Sequence, residues 1–307
     1  MNWRPDNALT FGCSRQGASH VDGCTPCQDA WNVRKYKAPN VDALILAAAD
    51  GHGASIHDLS EFGSKLAVEA MVEELKAFAD TFDDESSSQA VRDRFRADVP
   101  KNLVDRWRTK VEKDACERLG DKDNWGDDEY PVYFRYGSTA LGAMVTPTEL
   151  FMISIGDGDV INLSANGQVR VHLEQDAPEL TGSMTFSLAS LDPEMLFETR
   201  IIDVEPGGMI TLSTDGLAKS FHDPKYFFEF IVATQEQLQA EGLEKTVQPL
   251  PNVLDYISEH GSGDDMTYVF AWFRKTTVDK DSMTATHHSI HLKDDEQLEM
   301  DGKSVVK

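Results

Sequence analysis

An aspartate stands at the edge of one apolar segment after another in this chain. Asp50 follows Leu44-Ile45-Leu46-Ala47-Ala48-Ala49, Asp157 follows Phe151-Met152-Ile153-Ser154-Ile155-Gly156, and Asp215 follows Met209-Ile210-Thr211-Leu212-Ser213-Thr214. Asp264-Asp265 precedes Met266-Thr267-Tyr268-Val269-Phe270, and Asp29 opens another strand-like run. Carboxylates at the edges of apolar strands can converge at one end of a sandwich. Packed together they repel, and each raises the others' pKa unless a cation neutralises them. Oxygen donors with little sulfur or imidazole select hard ions such as Mg²⁺ or Mn²⁺. Two such ions a few ångströms apart can clamp a phosphoryl group for in-line attack. A single Asp-Gly pair is more simply a turn, but the repetition of this arrangement points to a metal site.

These aspartates need a scaffold that brings strand ends together. Strands are expected at residues 9–13, 30–36 and 42–49; the apolar run 43–49 suits a strand buried on both faces, although length alone also admits a helix. After Asp50-Gly51-His52-Gly53, the spacing of Leu59, Phe62, Leu66, Val68, Met71 and Leu75 predicts an amphipathic helix. Val91, Phe95, Leu103, Trp107, Val111 and Cys116 form a second helical stripe within residues 80–130, interrupted at Pro100. Residues 121–132 have a superficial likeness to a calcium loop, but Trp125 and Val132 stand where oxygen ligands are required. A solvated connection is the better reading.

From Gly137 onward the period changes to strands, at 138–145, 150–155, 160–163, 169–173, 185–189, 197–204 and 209–213. Asn166-Gly167 marks a hairpin between two of them. Helices are expected at 224–240 and 251–259, and a last apolar strand at 266–273. Two groups of strands flanked by helices predict an α+β fold, with two antiparallel sheets packed as a sandwich and helices outside in α-β-β-α layers. Residues 1–275 read as one domain and 276–307 as a polar, charged tail without an apolar face. Gly156-Asp157-Gly158 lacks the spacing of a dinucleotide fingerprint, and no Gly-Lys-Ser/Thr phosphate loop occurs.

The chain has 307 residues, with 29 Lys and Arg against 53 Asp and Glu, for a net charge of −24. Nucleic acid and anionic membrane surfaces both bind through clustered basic residues, so neither is an expected partner. No apolar leader opens the sequence and the longest purely apolar run is 43–49, so a cytoplasmic protein is predicted. Cys24-Thr25-Pro26-Cys27, with Cys13 and His20, can be drawn as a zinc site. Only one Cys-x-x-Cys pair is present, and reduced, unliganded thiols are the better reading.

Taken in order, Gln28-Asp29, Asp50-Gly51-His52-Gly53, Gly137-Ser138-Thr139-Ala140, Gly156-Asp157, Ser213-Thr214-Asp215-Gly216 and Gly263-Asp264-Asp265-Met266-Thr267 span most of the chain. In this ordered set the chain resembles the metal-dependent serine/threonine protein phosphatases of type 2C, in particular bacterial members. The resemblance implies two central antiparallel sheets between pairs of helices, in agreement with the strand pattern. It also implies two Mg²⁺ or Mn²⁺ ions, with a third, weaker one in bacterial members. Asp50 resembles the aspartate bridging both metals, and Gly51 the residue lending a backbone carbonyl. Asp215 and Asp264 resemble ligands of the second ion, Asp29 an acidic residue near the metal pair, and Asp157 the aspartate of the third ion. His52 resembles the general acid that protonates the leaving serine or threonine oxygen.

Two positions depart from the family pattern. Cys24 stands where an arginine usually holds the phosphate, and Gln28 where glutamate is frequent. His20 and Arg15 are the candidates to hold phosphate instead. The implied activity is hydrolysis of phosphoserine or phosphothreonine in a phosphorylated protein, a Ser/Thr kinase or its target, by direct attack of metal-activated water. The alternative is a catalytically silent module of the same fold that binds a phosphoprotein or a kinase.

Overall fold

The segment Ala43-Leu44-Ile45-Leu46-Ala47-Ala48-Ala49 is apolar throughout because both of its faces are covered. It forms strand β3 (Asp42–Ala49), in which every residue after the first is buried. Leu44, Leu46 and Ala48 point between two sheets, whereas Ala43, Ile45, Ala47 and Ala49 point toward a layer of helices. That double burial removes the polar alternation expected of a half-exposed strand. The computed structural model describes residues 4–83, 86–122, 125, 131–173 and 185–274. The tail 276–307 and part of the connection at 121–132 lie outside the described residues.

One sheet takes β2 (Ala30–Lys37), β3, β4 (Ala140–Val145), β5 (Glu149–Ile155) and β8 (Glu198–Asp203), in that order. The other takes β1 (Leu9–Arg15), β10 (Met266–Trp272), β9 (Met209–Ser213), β6 (Asp159–Leu163) and β7 (Val169–Leu173), in that order. Every pairing is antiparallel. Between the sheets, Leu46, Leu141, Met152, Val160, Leu212 and Val269 belong to one buried cluster.

Helices α2 (Ser60–Asp80) and α3 (Ser88–Leu119) cover the outer face of the first sheet, where Met71, Phe78, Phe95, Trp107 and Phe151 share a second core. Helices α6 (Pro224–Glu241), α7 (Leu243–Val247) and α8 (Leu250–His260) flank the second sheet, where Phe227, Ile231, Leu254, Tyr268 and Phe270 form a third. The layers are therefore α-β-β-α, as expected. Among the described residues, no helix is long and apolar enough to cross a membrane.

Two local expectations are corrected. Pro100 does not interrupt the second helical stretch: α3 runs unbroken through it. Phe95, Val99, Leu103, Val104 and Trp107 are all buried, and their packing against α2 and the sheet carries the helix past the missing amide. Residues 185–189 are not a strand but a turn. Ser187 N donates to Ser190 Oγ and Ala189 N donates to Ser187 Oγ, at 3.0 and 3.1 Å. These serines therefore replace strand pairing for the local backbone. Short helices α1 (Ala18–Gly23), α4 (Val132–Arg135) and α5 (Asp215–Ala218) lie in connections whose sequence shows no helical period.

Candidate functional site

Antiparallel pairing brings the aspartates to one end of the sandwich. Ala30 opposes Ala49, so Asp29, just before β2, lies beside Asp50, just after β3. Gly51 bridges Ser138 ahead of β4, Ile155 opposes Ala140, and Asp157 therefore joins them in the turn after β5. In the second sheet, Ser213 opposes both Tyr268 and Asp159. Asp215 after β9 and Asp264 before β10 consequently reach the same end. A cavity of about 700 Å³ opens there, lined by Asp50, Gly51, His52, Asp157, Asp215 and Asp264 among others. A larger groove of about 870 Å³ elsewhere, lined by Arg4, Asn40, Asp42 and Asp203 among others, contains no histidine and none of the expected site residues.

The loop carrying Asp50 and His52 is held on both sides. Asp50 N donates to Thr139 Oγ1 and Thr139 N donates back to Asp50 O, each at 2.9 Å. Gly51 N donates to Gln28 O and His52 N to Gly137 O, both at 3.1 Å. No other residue fits at Gly51, since a Cβ there would stand 2.6 Å from Ser60 O and 2.9 Å from Gln28 O. At Gly137 a Cβ would stand 2.7 Å from His52 Cδ2 and 2.6 Å from His57 Nδ1. The absent side chain is what lets the two imidazoles pack at 4.9 Å between ring centroids. His57 donates from Nδ1 to Phe134 O, which fixes its tautomer.

The carboxylates are crowded and poorly served with donors. Asp29 accepts from Thr214 Oγ1 at 2.7 Å, but no donor reaches Asp29 Oδ1 or Asp215 Oδ1, both buried. Burial, followed by the charges of Asp29 and Asp215, pushes the Asp50 carboxyl well above its ordinary range. Burial also raises Asp29, despite its hydroxyl partner. Asp215 is raised from 3.8 to about 6, first by burial and then by the charge of Asp157. Burial and the neighbouring His57 push His52 down to about 4, so its imidazole is neutral at neutral pH.

Two neighbouring aspartates, adjacent in sequence, have different duties. Asp265 is buried and accepts from the backbone amides of Gly17 and Gln28, at 2.7 and 2.6 Å. It ties β10 to the loops before α1 and β2. Asp264 has a half-exposed side chain that lines the cavity.

Of the two candidate phosphate-binding residues, Arg15 is committed elsewhere, whereas His20 lines the cavity with no hydrogen-bond partner on its buried Nδ1. Arg15 is corrected: its guanidinium grips Asp255 of α8 through two hydrogen bonds of 2.6 and 2.7 Å, and it does not line the cavity. His20 does line it, but its ring lies 3.0 Å from Asp265 and 3.5 Å from Asp264. Cys24 is exposed at the end of α1, and all four cysteines are free. Gln28 lines the cavity and uses its amide to donate to Ser60 Oγ at 2.5 Å. Sequence reasoning missed Lys219, whose ammonium lies 2.9 Å from Asp157 Oδ2 and contacts Asp215 Oδ2. The available signal was its position four residues after Asp215, which places both on one face of a helical turn.

Whether this donor set fits hard divalent ions can be judged from its own chemistry. Among the described residues no three His, Cys, Asp or Glu side chains already stand at chelating distances. The pocket instead presents carboxylates that repel one another, with buried oxygens that lack donors. Unpaired buried oxygens of this kind are costly unless a proton or cation serves them. All are hard oxygen donors, as Mg²⁺ and Mn²⁺ require. The residues fit.

Comparison with curated proteins by sequence finds no match. Solved structures resemble the chain in fold. The serine/threonine phosphatase of S. agalactiae superposes with a TM-score of 0.55 at 16% identity, covering 87% of this chain and 100% of that one. The catalytic domain of the serine/threonine protein phosphatase PstP, in complex with two manganese ions, gives 0.53 at 15% identity, covering 87% and 99%. PppA of Pseudomonas aeruginosa, a regulatory component of its T6SS, gives 0.54 at 17% identity, covering 86% and 97%. Such low identities establish the shared fold alone. The family model of protein phosphatase 2C, however, matches residues 16–254, from the end of β1 into α8 and across most of the aspartate-bearing loops. The chain belongs to the protein phosphatase 2C family, whose members are serine/threonine phosphatases.

Proposed function

We propose that the chain hydrolyses phosphoserine or phosphothreonine in phosphoproteins with the help of two divalent ions, Mg²⁺ or Mn²⁺. The observation that carries this reading is the convergence of Asp29, Asp50, Asp157, Asp215 and Asp264 at one end of the sandwich, with buried oxygens lacking donors. Asp50, Asp215, Asp264 and the backbone carbonyl of Gly51 would hold the ions, with Asp29 beside them. Ions bound there supply Lewis acidity and charge neutralisation for attack of water on phosphorus.

The chain's own groups supply the rest. The backbone of Asp50 is fixed by Thr139 at both its amide and its carbonyl, which sets where its side chain leaves the loop. His52 is held against His57 and Gly137 at the cavity wall, where it can give a proton to the departing alkoxide. Its depressed pKa means that the proton must be taken up with the substrate. A phosphate dianion near the ring favours the imidazolium and opposes the effect of burial. Ser187 and Ala189, in the turn ahead of β8, also line the cavity.

The test is phosphate release from a phosphothreonine peptide, with Mn²⁺ or with EDTA, by the wild type and Asp50→Asn. Metal-dependent turnover that the substitution abolishes is expected. No arginine lines the cavity among the described residues, and this favours a second reading, a silent phosphoprotein- or kinase-binding module. Tight phosphopeptide binding without turnover, in a folded protein supplied with Mn²⁺, would establish the second reading and refute the first.

A further inference from the structure

Lys219 lines the same cavity as Asp50, Asp157, Asp215 and Asp264. It follows α5, four residues after Asp215, and its backbone amide donates to Asp215 O at 2.8 Å. Its position is tightly set. Ser220 Oγ and Ser262 Oγ both donate to Gly216 O, at 2.7 and 3.0 Å, pinning the short helix to the loop before β10. A Cβ at Gly216 would collide with Asp265 O, so α5 is pressed against that loop without a spacer. From this anchored turn the ammonium reaches Asp157 Oδ2 at 2.9 Å and touches Asp215 Oδ2. It therefore links the turn after β5 in one sheet to the helix after β9 in the other.

Charge explains why a lysine belongs there. Asp29, Asp50, Asp157, Asp215 and Asp264 gather at one end of the sandwich with the buried Asp265 behind them. Two divalent ions leave negative charge there that a monovalent cation reduces. Asp157 is also the carboxylate whose environment differs from the rest. Its Oδ2 takes the Lys219 ammonium at 2.9 Å, a contact that Asp29, Asp50 and Asp264 lack. Any further divalent ion approaching Asp157 would have to displace that ammonium or sit beside it.

We propose that Lys219 is a resident cation of the site: it occupies the space between Asp157 and Asp215, offsets the charge of those two carboxylates, and limits the chain to two divalent ions. The inference rests on the proposed two-ion reading of the pocket. Lys219 would thus be a positioning residue, acting through the carboxylates it holds.

Two measurements on the full-length protein test it. Bound Mn²⁺ is counted after equilibrium dialysis by elemental analysis, and the thermal midpoint is read in EDTA at neutral pH. The wild type, Lys219→Gln and Lys219→Arg are compared. The wild type should hold two ions. Lys219→Gln should take up a third and, without metal, melt several degrees lower, because Asp157 and Asp215 then face each other unneutralised. Lys219→Arg, which keeps the charge, should match the wild type in both readouts. Three ions in the wild type, or two ions and an unchanged metal-free midpoint in Lys219→Gln, overturn the proposal and leave the two-ion reading standing. No bound ion in the wild type overturns both.

Discussion

Asp215→Asn in metal-free protein offers a thermodynamic view of the acidic pocket that needs no substrate. Asp215 titrates at about 6 when folded, against 3.8 ordinarily, because it is buried and faces the Asp157 charge. A carboxyl whose folded pKa is raised contributes stability that is complete below its unfolded pKa. That stability is lost as pH rises through the folded pKa. The full loss for this group is about 3 kcal/mol, since a tenfold change in acidity constant corresponds to about 1.4 kcal/mol. Between about pH 5 and about pH 7.5 the portion lost is about 1.4 kcal/mol. Asparagine keeps the shape and does not titrate, so it escapes this loss. It also forfeits the contact with Lys219, but that cost is nearly constant over the interval, because Asp157 and Lys219 keep their charges. His52, lowered to about 4, acts in the opposite direction, since its contribution falls as pH falls from its ordinary value. Its effect is present in both proteins and cancels in the comparison.

The assay is the thermal midpoint of both proteins in EDTA at the two pH values. The midpoint of the variant minus that of the wild type should rise by about 3–6 °C from the lower to the higher pH, at about 2–4 °C per kcal/mol. Saturating Mn²⁺ should reverse the order, because ions that bind only the folded wild type stabilise it by mass action. A midpoint difference that stays constant or shrinks as pH rises would refute the idea that burial and carboxylate repulsion strain this pocket.

Three further substitutions separate the roles around the cavity. His52→Gln should slow hydrolysis of a phosphothreonine peptide by about 10²–10⁴-fold, yet slow p-nitrophenyl phosphate far less, since nitrophenolate leaves without a proton; equal losses on both substrates would argue against an acid role. Gly137→Ala should lower kcat while the fold persists, because its Cβ would collide with His52 and His57; unchanged kcat would show that the histidine packing is dispensable. Arg15→Ala should leave KM for the peptide unchanged and cost about 1 kcal/mol or less in a denaturation experiment, as a half-exposed ion pair does. A large rise in KM would return Arg15 to the phosphate.

The pattern of apolar runs ending in aspartate is enough to place most of the scaffold, for a physical reason. In an antiparallel sandwich the end of one strand and the start of its neighbour share an edge. Residues flanking apolar runs on the appropriate side must therefore meet, whatever the loops between them do. Asp29 and Asp50 meet because Ala30 pairs with Ala49. Asp157 and Asp215 meet because Asp159 pairs with Ser213. By contrast, residues 185–189 alternate like a strand, yet serine side chains satisfy their backbone and no ladder forms. Pro100 reads as a stop because its local cost is visible in the sequence and the packing of Phe95, Leu103 and Trp107 beneath it is not.

What the pattern cannot show is how charged side chains divide among partners. Arg15, His20 and Lys219 all lie near the acidic loops along the chain, but only three-dimensional placement assigns them. Arg15 projects from β1 toward α8 and meets Asp255 before it can reach the cavity. His20 stands across Asp264 and Asp265. Lys219 alone spans two carboxylates from different sheets, Asp157 and Asp215. Arg15 and Lys219 are thus held by carboxylates, and His20 is the one of the three that lines the cavity with an unpartnered ring nitrogen. On the proposed reading, phosphate affinity would rest chiefly on the bound ions, with His52 and His20 beside them. A phosphatase so arranged should lose substrate binding together with its metal, whereas one gripping phosphate through an arginine would retain part of it.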